Sequence, residues 1–180
     1  MSILKVARMG HPVLRRRTPP LDPAELGSSA VQQLIDDMFE TMHEYAGIGL
    51  AAPQVHRSLR LFVAGVDDPD GGLQPVVMVN PEIEPKGTAA EEDWEGCLSI
   101  PDIRGRVPRA VEIRVRSLDR HGMPQRMTAH GFAARVIQHE TDHLDGVLFL
   151  DRMRSFESLT FLNEYGRYWE QEAATRGTAR

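Results

Sequence analysis

An α+β fold is predicted, with antiparallel strands packed around one central helix, a helix ahead of the strands and another near the C-terminus. Three patterns carry the prediction. Apolar residues recur at helical spacing at Val31, Leu34, Ile35, Met38, Phe39 and Met42. Short apolar or alternating runs bounded by Gly, Pro, Asp and Asn then occupy residues 61–129. Helical spacing returns over 132–144, so the elements come in blocks and not as repeated β-α-β units. A length of 180 residues is ordinary for a single domain covering 1–180.

Taken in order, residues 1–22 are rich in Pro and Arg and read as an extended arm over the surface. Pro23 suits the first turn of a helix and Asp22 its cap, so one helix is predicted from Pro23 to Tyr45, stopped by Gly47. Residues 61–66 and 75–79 read as short buried strands. Val111, Ile113, Val115 and Ser117 alternate with Glu112, Arg114 and Arg116, as in a half-buried strand. Asp119-Arg120-His121-Gly122 is the turn that follows, and 125–129 the returning strand. The helix over 132–144 ends at Gly146, and a last amphipathic helix is predicted over 157–169. Neither an internal repeat nor a low-complexity segment is present.

Composition excludes some function classes. The net charge of −5 argues against a nucleic-acid partner bound through bulk charge. Nothing approaches the roughly 18 consecutive apolar residues of a membrane-spanning helix. Lys5 and Arg8 interrupt the apolar start, so it does not read as a signal peptide. Cys97 is the only cysteine and cannot form an intrachain disulfide. A monomer in a reducing, cytoplasmic setting is expected.

The most informative stretch is His139-Glu140-Thr141-Asp142-His143. Residues four apart lie one turn apart on the same helix face, so both imidazoles can bind one cation while Glu140 handles the proton of a bound water. Catalytic sites of this kind have three protein ligands and one open position, so a third is missing. A motif that continues from Gly146 to another His fails, because Phe149 stands where the ligand would be. Glu164 lies about 20 residues downstream on a predicted helix and is one candidate. Cys97, in Trp94-Glu95-Gly96-Cys97-Leu98-Ser99, is the other. A thiol nucleophile at Cys97 would leave the paired His and Glu140 without a purpose.

Three segments resemble the signatures of the peptide deformylase family, in that family's order. They are Gly47-Ile48-Gly49-Leu50-Ala51-Ala52-Pro53-Gln54, then Glu95-Gly96-Cys97-Leu98-Ser99, then Gln138-His139-Glu140-Thr141-Asp142-His143. Gly10-His11-Pro12-Val13-Leu14-Arg15, Asn80-Pro81 and Val107-Pro108-Arg109-Ala110 extend the resemblance from the arm to about Arg152. Each segment is moderately specific, and the three in order are highly so. The first also fits the dinucleotide pattern G-x-G-x-x-A, but it follows a helix and runs straight into Pro53, so that reading is rejected. Pro53 and Asp102 occupy positions that vary within the family.

The resemblance implies removal of the formyl group from N-formylmethionine of nascent peptides. It implies Cys97, His139 and His143 as metal ligands and Fe(II) as the native ion, with Zn(II) or Ni(II) able to occupy the same site. It further implies Glu140 as the proton carrier, with Gln54 and the Leu98 N–H as donors to the oxyanion. Ile48, Phe132 and Val136 are expected to wall the methionine pocket, and Ile48, Gly49 and Gly96 to lie along the peptide backbone. Asp142 is left between two readings, orienting a neighbouring Arg or His and lying plainly on the surface. Some members contact the ribosome through a basic C-terminal helix. Here Arg154 and Arg167 alternate with Glu157, Glu164, Glu170 and Glu172, and that partner is left open.

Overall fold

The computed structural model describes residues 2–67 and 72–170. Helices α1 (Pro23–Leu26) and α2 (Ser29–Glu44) precede β1 (Gly49–Ala51), β2 (Leu61–Asp67), β3 (Leu73–Pro85), β4 (Ala90–Cys97), β5 (Ile100–Ala110), β6 (Glu112–Leu118) and β7 (Pro124–His130). After them come α3 (Gly131–Leu144), α4 (Phe149–Arg152), β8 (Thr160–Phe161) and α5 (Leu162–Tyr168). Five strands form one antiparallel sheet in the order β1-β2-β3-β6-β7, and three form a second, β4-β5-β8. The predicted α+β class with antiparallel strands and a central motif-bearing helix is what the chain adopts.

β2 explains the layering. Its side chains alternate between faces, and both faces are covered. Leu61 and Val63 join Leu34, Ile35, Met38 and Met42 of α2 in one core cluster. Phe62, Ala64 and Val66 join Ala133, Ala134, Val136, Ile137 and Leu144 of α3 in another. The larger sheet is thus held between α2 and α3. β6 reads as predicted, with Ile113 and Val115 facing α3 while Arg114 and Arg116 face solvent. α3 stops at Gly146, whose φ of +75° L side chains rarely adopt, and Val147 N–H returns to the Asp142 carbonyl at 2.9 Å. A Cβ at Gly146 would also sit 2.7 Å from the Arg15 backbone, which ties the end of α3 to the arm.

Four expectations need correction. The first helix is broken: α1 ends at Gly27, and Ser28 caps a new helix by accepting from the Val31 N–H. The arm is not superficial, since Val6, Ala7, Leu14, Thr18 and Leu21 are buried. Ala7 N–H donates to the Gln54 carbonyl and Met9 N–H to that of Ser99, at 2.7 and 2.8 Å. The strand predicted over 75–79 runs from Leu73 to Pro85, through a register shift between Val79 and Glu82. The last helix covers only Leu162–Tyr168, because Thr160 and Phe161 pair with β5 instead.

Candidate metal centre

α3 presents two adjacent stripes to the β4–β5 hairpin. One carries Arg135, His139 and Asp142; the other carries Val136, Glu140 and His143. The rings of His139 and His143 lie 5.0 Å apart. Cys97 ends β4, where the pairing with β5 shifts register, and its Sγ comes 3.2 Å from His143 Nε2. One donor atom each from Cys97, His139 and His143 lies within 4.8 Å of the others. Burial alone would raise the Cys97 thiol, but His143 and His139 hold it well below its ordinary range. A half-buried thiol facing two imidazoles is a donor set that a divalent transition metal fits. Glu164 is not part of this group; it lies on α5, 3.6 Å from Arg167.

Glu140 is 4% exposed, and its Oε2 has no hydrogen-bond partner among the described residues. Burial pushes its carboxyl up to about 7, against the pull of His139 and His143. Its position depends on Gly49, where a Cβ would come within 2.3 Å of Glu140 Oε1. Gln54 is buried on the 3-10 turn Ala52–Val55, directly after β1. Its Oε1 accepts from the Ala51 N–H at 2.8 Å, which aims Nε2 at Ser99 Oγ (3.3 Å) and Cys97 Sγ (3.5 Å). Leu98 lies in the two-residue turn between β4 and β5, and its carbonyl accepts from Arg8 at 3.2 Å.

Behind the candidate ligands lies a charge network, of whose members Asp142 alone is expected from sequence to orient a neighbouring Arg or His, as one of two readings. Glu95 accepts from His139 Nδ1 at 2.9 Å, which leaves Nε2 as the ring's donor atom toward Cys97. Arg109 clamps the same carboxylate with Nε at 2.8 Å and Nη2 at 3.0 Å, and Arg135 adds a third bond at 2.9 Å. Arg135 also donates to the carbonyls of Glu91 and Val107, both at 2.8 Å. Asp142 pairs with Arg109 and with Arg152, so it is a buried anchor for Arg109 and not a surface carboxylate. Burial would raise the Glu95 carboxyl, but Arg109 and His139 hold it far below the usual range. One sequence signal could have found this network: Arg135 and Asp142 share a helix stripe with His139 and have no solvated face to occupy.

A cavity of about 530 Å³ opens onto this centre. Ile48, Gly49, Gln54, Gly96, Cys97, Leu98, Phe132, Val136, His139 and Glu140 all line it, so the predicted site residues converge. His143 is the exception, buried behind the others.

A His-Glu-x-x-His helix with a thiolate third donor and a buried carboxyl at an open cavity defines a metal-dependent hydrolase. The family model described as polypeptide deformylase matches residues 3–158. Peptide deformylase 2 of Pseudomonas putida is 45% identical over 159 residues, 86% of this chain and 89% of that protein. Peptide deformylase 2 of a Nostoc species is 41% identical over 182 residues, 98% of each. The Met-Ala-Ser-bound class I type b peptide deformylase of Acinetobacter baumannii superposes with a TM-score of 0.78 at 41% identity, covering 84% of this chain and 98% of that one. The chain belongs to the polypeptide deformylase family.

Proposed function

We propose that this chain releases formate from N-formylmethionyl peptides with Fe(II) held by Cys97, His139 and His143. The observation that carries the reading is Glu140: a buried carboxyl whose Oε2 has no hydrogen-bond partner among the described residues, lining the same cavity as Cys97 and His139. When bound, the ion supplies Lewis acidity and lowers the pKa of water from about 15.7 toward 7. Glu140 takes a proton as water attacks the formyl carbon and delivers it to the departing amine. Gln54 Nε2 and the Leu98 N–H donate to the oxygen on which negative charge develops. Losing one such donor costs about 3–4 kcal/mol.

Ile48, Phe132 and Val136 provide an apolar pocket for the methionine side chain, and Gly96 and Ile48 offer backbone to an extended peptide. Main-chain pairing does not read side chains, so it suits substrates that share only their first residue. The proposal includes a monomer working in the cytoplasm, where Cys97 stays reduced. Iron is favoured over zinc by family membership, and the donor set accepts either ion.

Formate release from a formyl-Met peptide, with metal content measured on the same preparation, tests the activity. Cys97→Ala loses metal and turnover together, while Glu164→Ala keeps both. Iron-loaded enzyme loses activity in air, because Fe(II) and a cysteine sulfur both oxidise, and Ni(II)-loaded enzyme keeps it longer. Equal activity per metal for iron, nickel and zinc, unchanged by aerobic incubation, would overturn the iron assignment.

A further inference from the structure

The two proposed oxyanion donors sit on separate segments, and the N-terminal arm ties those segments together. Gln54 belongs to the 3-10 turn Ala52–Val55, and Leu98 to the two-residue turn between β4 and β5. Three consecutive arm residues reach both. The Ala7 N–H donates to the Gln54 carbonyl at 2.7 Å, and the Met9 N–H to the Ser99 carbonyl at 2.8 Å. Between them Arg8 lines the cavity, and its Nη1 donates to the Leu98 carbonyl at 3.2 Å. Both carbonyls of the Leu98-Ser99 turn are therefore held from the arm, which limits how far Leu98 can rotate. Ser99 Oγ in turn accepts from Gln54 Nε2 at 3.3 Å, so the contacts close a ring through both donor segments.

The Arg8 side chain is not needed to hold the arm down. Val6, Ala7 and Leu14 are buried, the Leu4 N–H donates to Thr41 Oγ1 at 2.9 Å, and the Thr18 N–H donates to the Leu144 carbonyl at 2.8 Å. Arg8 itself is exposed. What it makes is a charge-assisted hydrogen bond to the turn beside Cys97, stronger than a neutral one. Oxyanion donors are effective only when already aimed at the place where charge develops. Resting on the deformylase reading above, we propose that Arg8 is a positioning residue. It clamps the Leu98-Ser99 turn and, with the Ala7 and Met9 amides, sets the Leu98 N–H against Gln54 Nε2 before substrate binds. Its effect therefore falls on kcat, although the guanidinium is exposed.

Arg8→Ala tests the clamp, through formate release from a formyl-Met peptide with metal content measured on the same preparation. Its kcat should fall roughly fivefold, a small part of the about 10²–10³-fold loss of a whole donor, with KM, metal content and melting temperature unchanged. Arg8→Lys keeps a cationic donor on a long side chain and should restore kcat to within about twofold. Hydrogen exchange over residues 97–99 should quicken in Arg8→Ala while α2 and α3 keep their protection. Salt separates the clamp from a bare charge near the oxyanion. The ratio of unaltered to Arg8→Ala kcat should hold between about 0.05 and 0.5 M salt, whereas a field effect would be screened away. A rise in KM with kcat held would make Arg8 a peptide contact, and a ratio that salt abolishes would make it a remote charge. A melting temperature that falls along with kcat would make it plain structural support. Each of these results, or an unchanged kcat, overturns the clamp and leaves the deformylase reading standing. No formate from the unaltered enzyme would overturn that reading itself, and the clamp with it.

Discussion

Behind the candidate metal ligands, Glu95, Arg109, Arg135 and Asp142 are buried and joined by charge-assisted hydrogen bonds, whereas Phe132, Leu162 and Ile48, which line the cavity, are exposed. The two walls belong to one cavity and are built for different tasks. The ligand wall is closed because the donor atoms and Glu140 must be held within a fraction of an ångström before substrate arrives. The mouth is open because the substrates differ in every residue after the first. Loosely packed apolar surface accepts variety where a hydrogen-bonded network would reject it. A perturbation of the closed wall is therefore expected to act on chemistry and metal, and one at the mouth on KM.

The largest effect is expected at Glu140, on the closed side. It is the proposed proton carrier, and it is not among the three candidate metal donors. Glu140→Gln keeps the shape and removes the titratable oxygen. Metal content should stay at one per chain while kcat falls by roughly 10²-fold or more. Turnover near that of the unaltered enzyme would move proton transfer to another group.

Next comes Glu95, which is not among the candidate metal donors. Glu95→Gln leaves Arg109 and Arg135 facing a neutral amide with one accepting oxygen in place of two, so either His139 Nδ1 or the pair Arg109 Nε and Arg135 loses its acceptor. Metal affinity should drop by about 10–100-fold, and thermal stability should fall in the metal-free protein as well. The same carboxylate makes the fold sensitive to acid. Its folded pKa is depressed below the ordinary 4.5, so its contribution is present above that pH and is lost as pH falls through and below it. Equilibrium unfolding of the metal-free protein between pH 6 and pH 3, on the order of a few points per unit, checks the slope. In Glu95→Gln that slope should be shallower.

Gly49 links the two walls, since its backbone lies at the mouth and its missing side chain leaves room for Glu140. An alanine Cβ there would overlap the Glu140 carboxylate at 2.3 Å, and one at Gly47 would press on Leu98 Cδ1 at 2.9 Å. The first obstacle is the buried carboxyl proposed to carry the proton, the second the end of a flexible side chain. Gly49→Ala should lower kcat by about tenfold, an estimate for a displaced catalytic carboxylate, and Gly47→Ala much less. Similar losses in the two variants would mean that Glu140 can move aside without cost.

The same division decides what was legible in the sequence. His139, Glu140 and His143 stand out in the sequence through helix spacing and Cys97 through the family resemblance, and Cys97, His139 and His143 come together in the structure. Ile113 and Val115 were found through simple alternation on a half-buried strand. β4 was missed because its polar residues do not alternate: Glu95 is buried in an ion network, and Gly96 and Cys97 bend toward the centre. Arg109 and Glu95 are 14 positions apart and Arg135 and Glu95 are 40, and only the folded hairpin brings them together. The break between α1 and α2 was missed although Gly27 and Ser28 are the expected stop and cap, because the apolar repeat continues across them in register.

The smallest effect is expected at Phe132, and it bears most directly on the contrast between the walls. Its ring is 50% exposed, at the start of α3 and one turn before Val136, and both line the cavity. Little of the core depends on it, so Phe132→Ala should leave the melting temperature nearly unchanged. In the proposed complex the ring covers part of the methionine side chain, and its loss removes contact made equally in the ground and transition states. KM for a formyl-Met peptide should then rise by about three- to tenfold with kcat held, as uniform binding requires. A formyl-Ala peptide, whose side chain is too short to reach the ring, should show almost no change. If kcat fell instead, Phe132 would be positioning the reacting group, and the mouth would share the work assigned here to the closed wall.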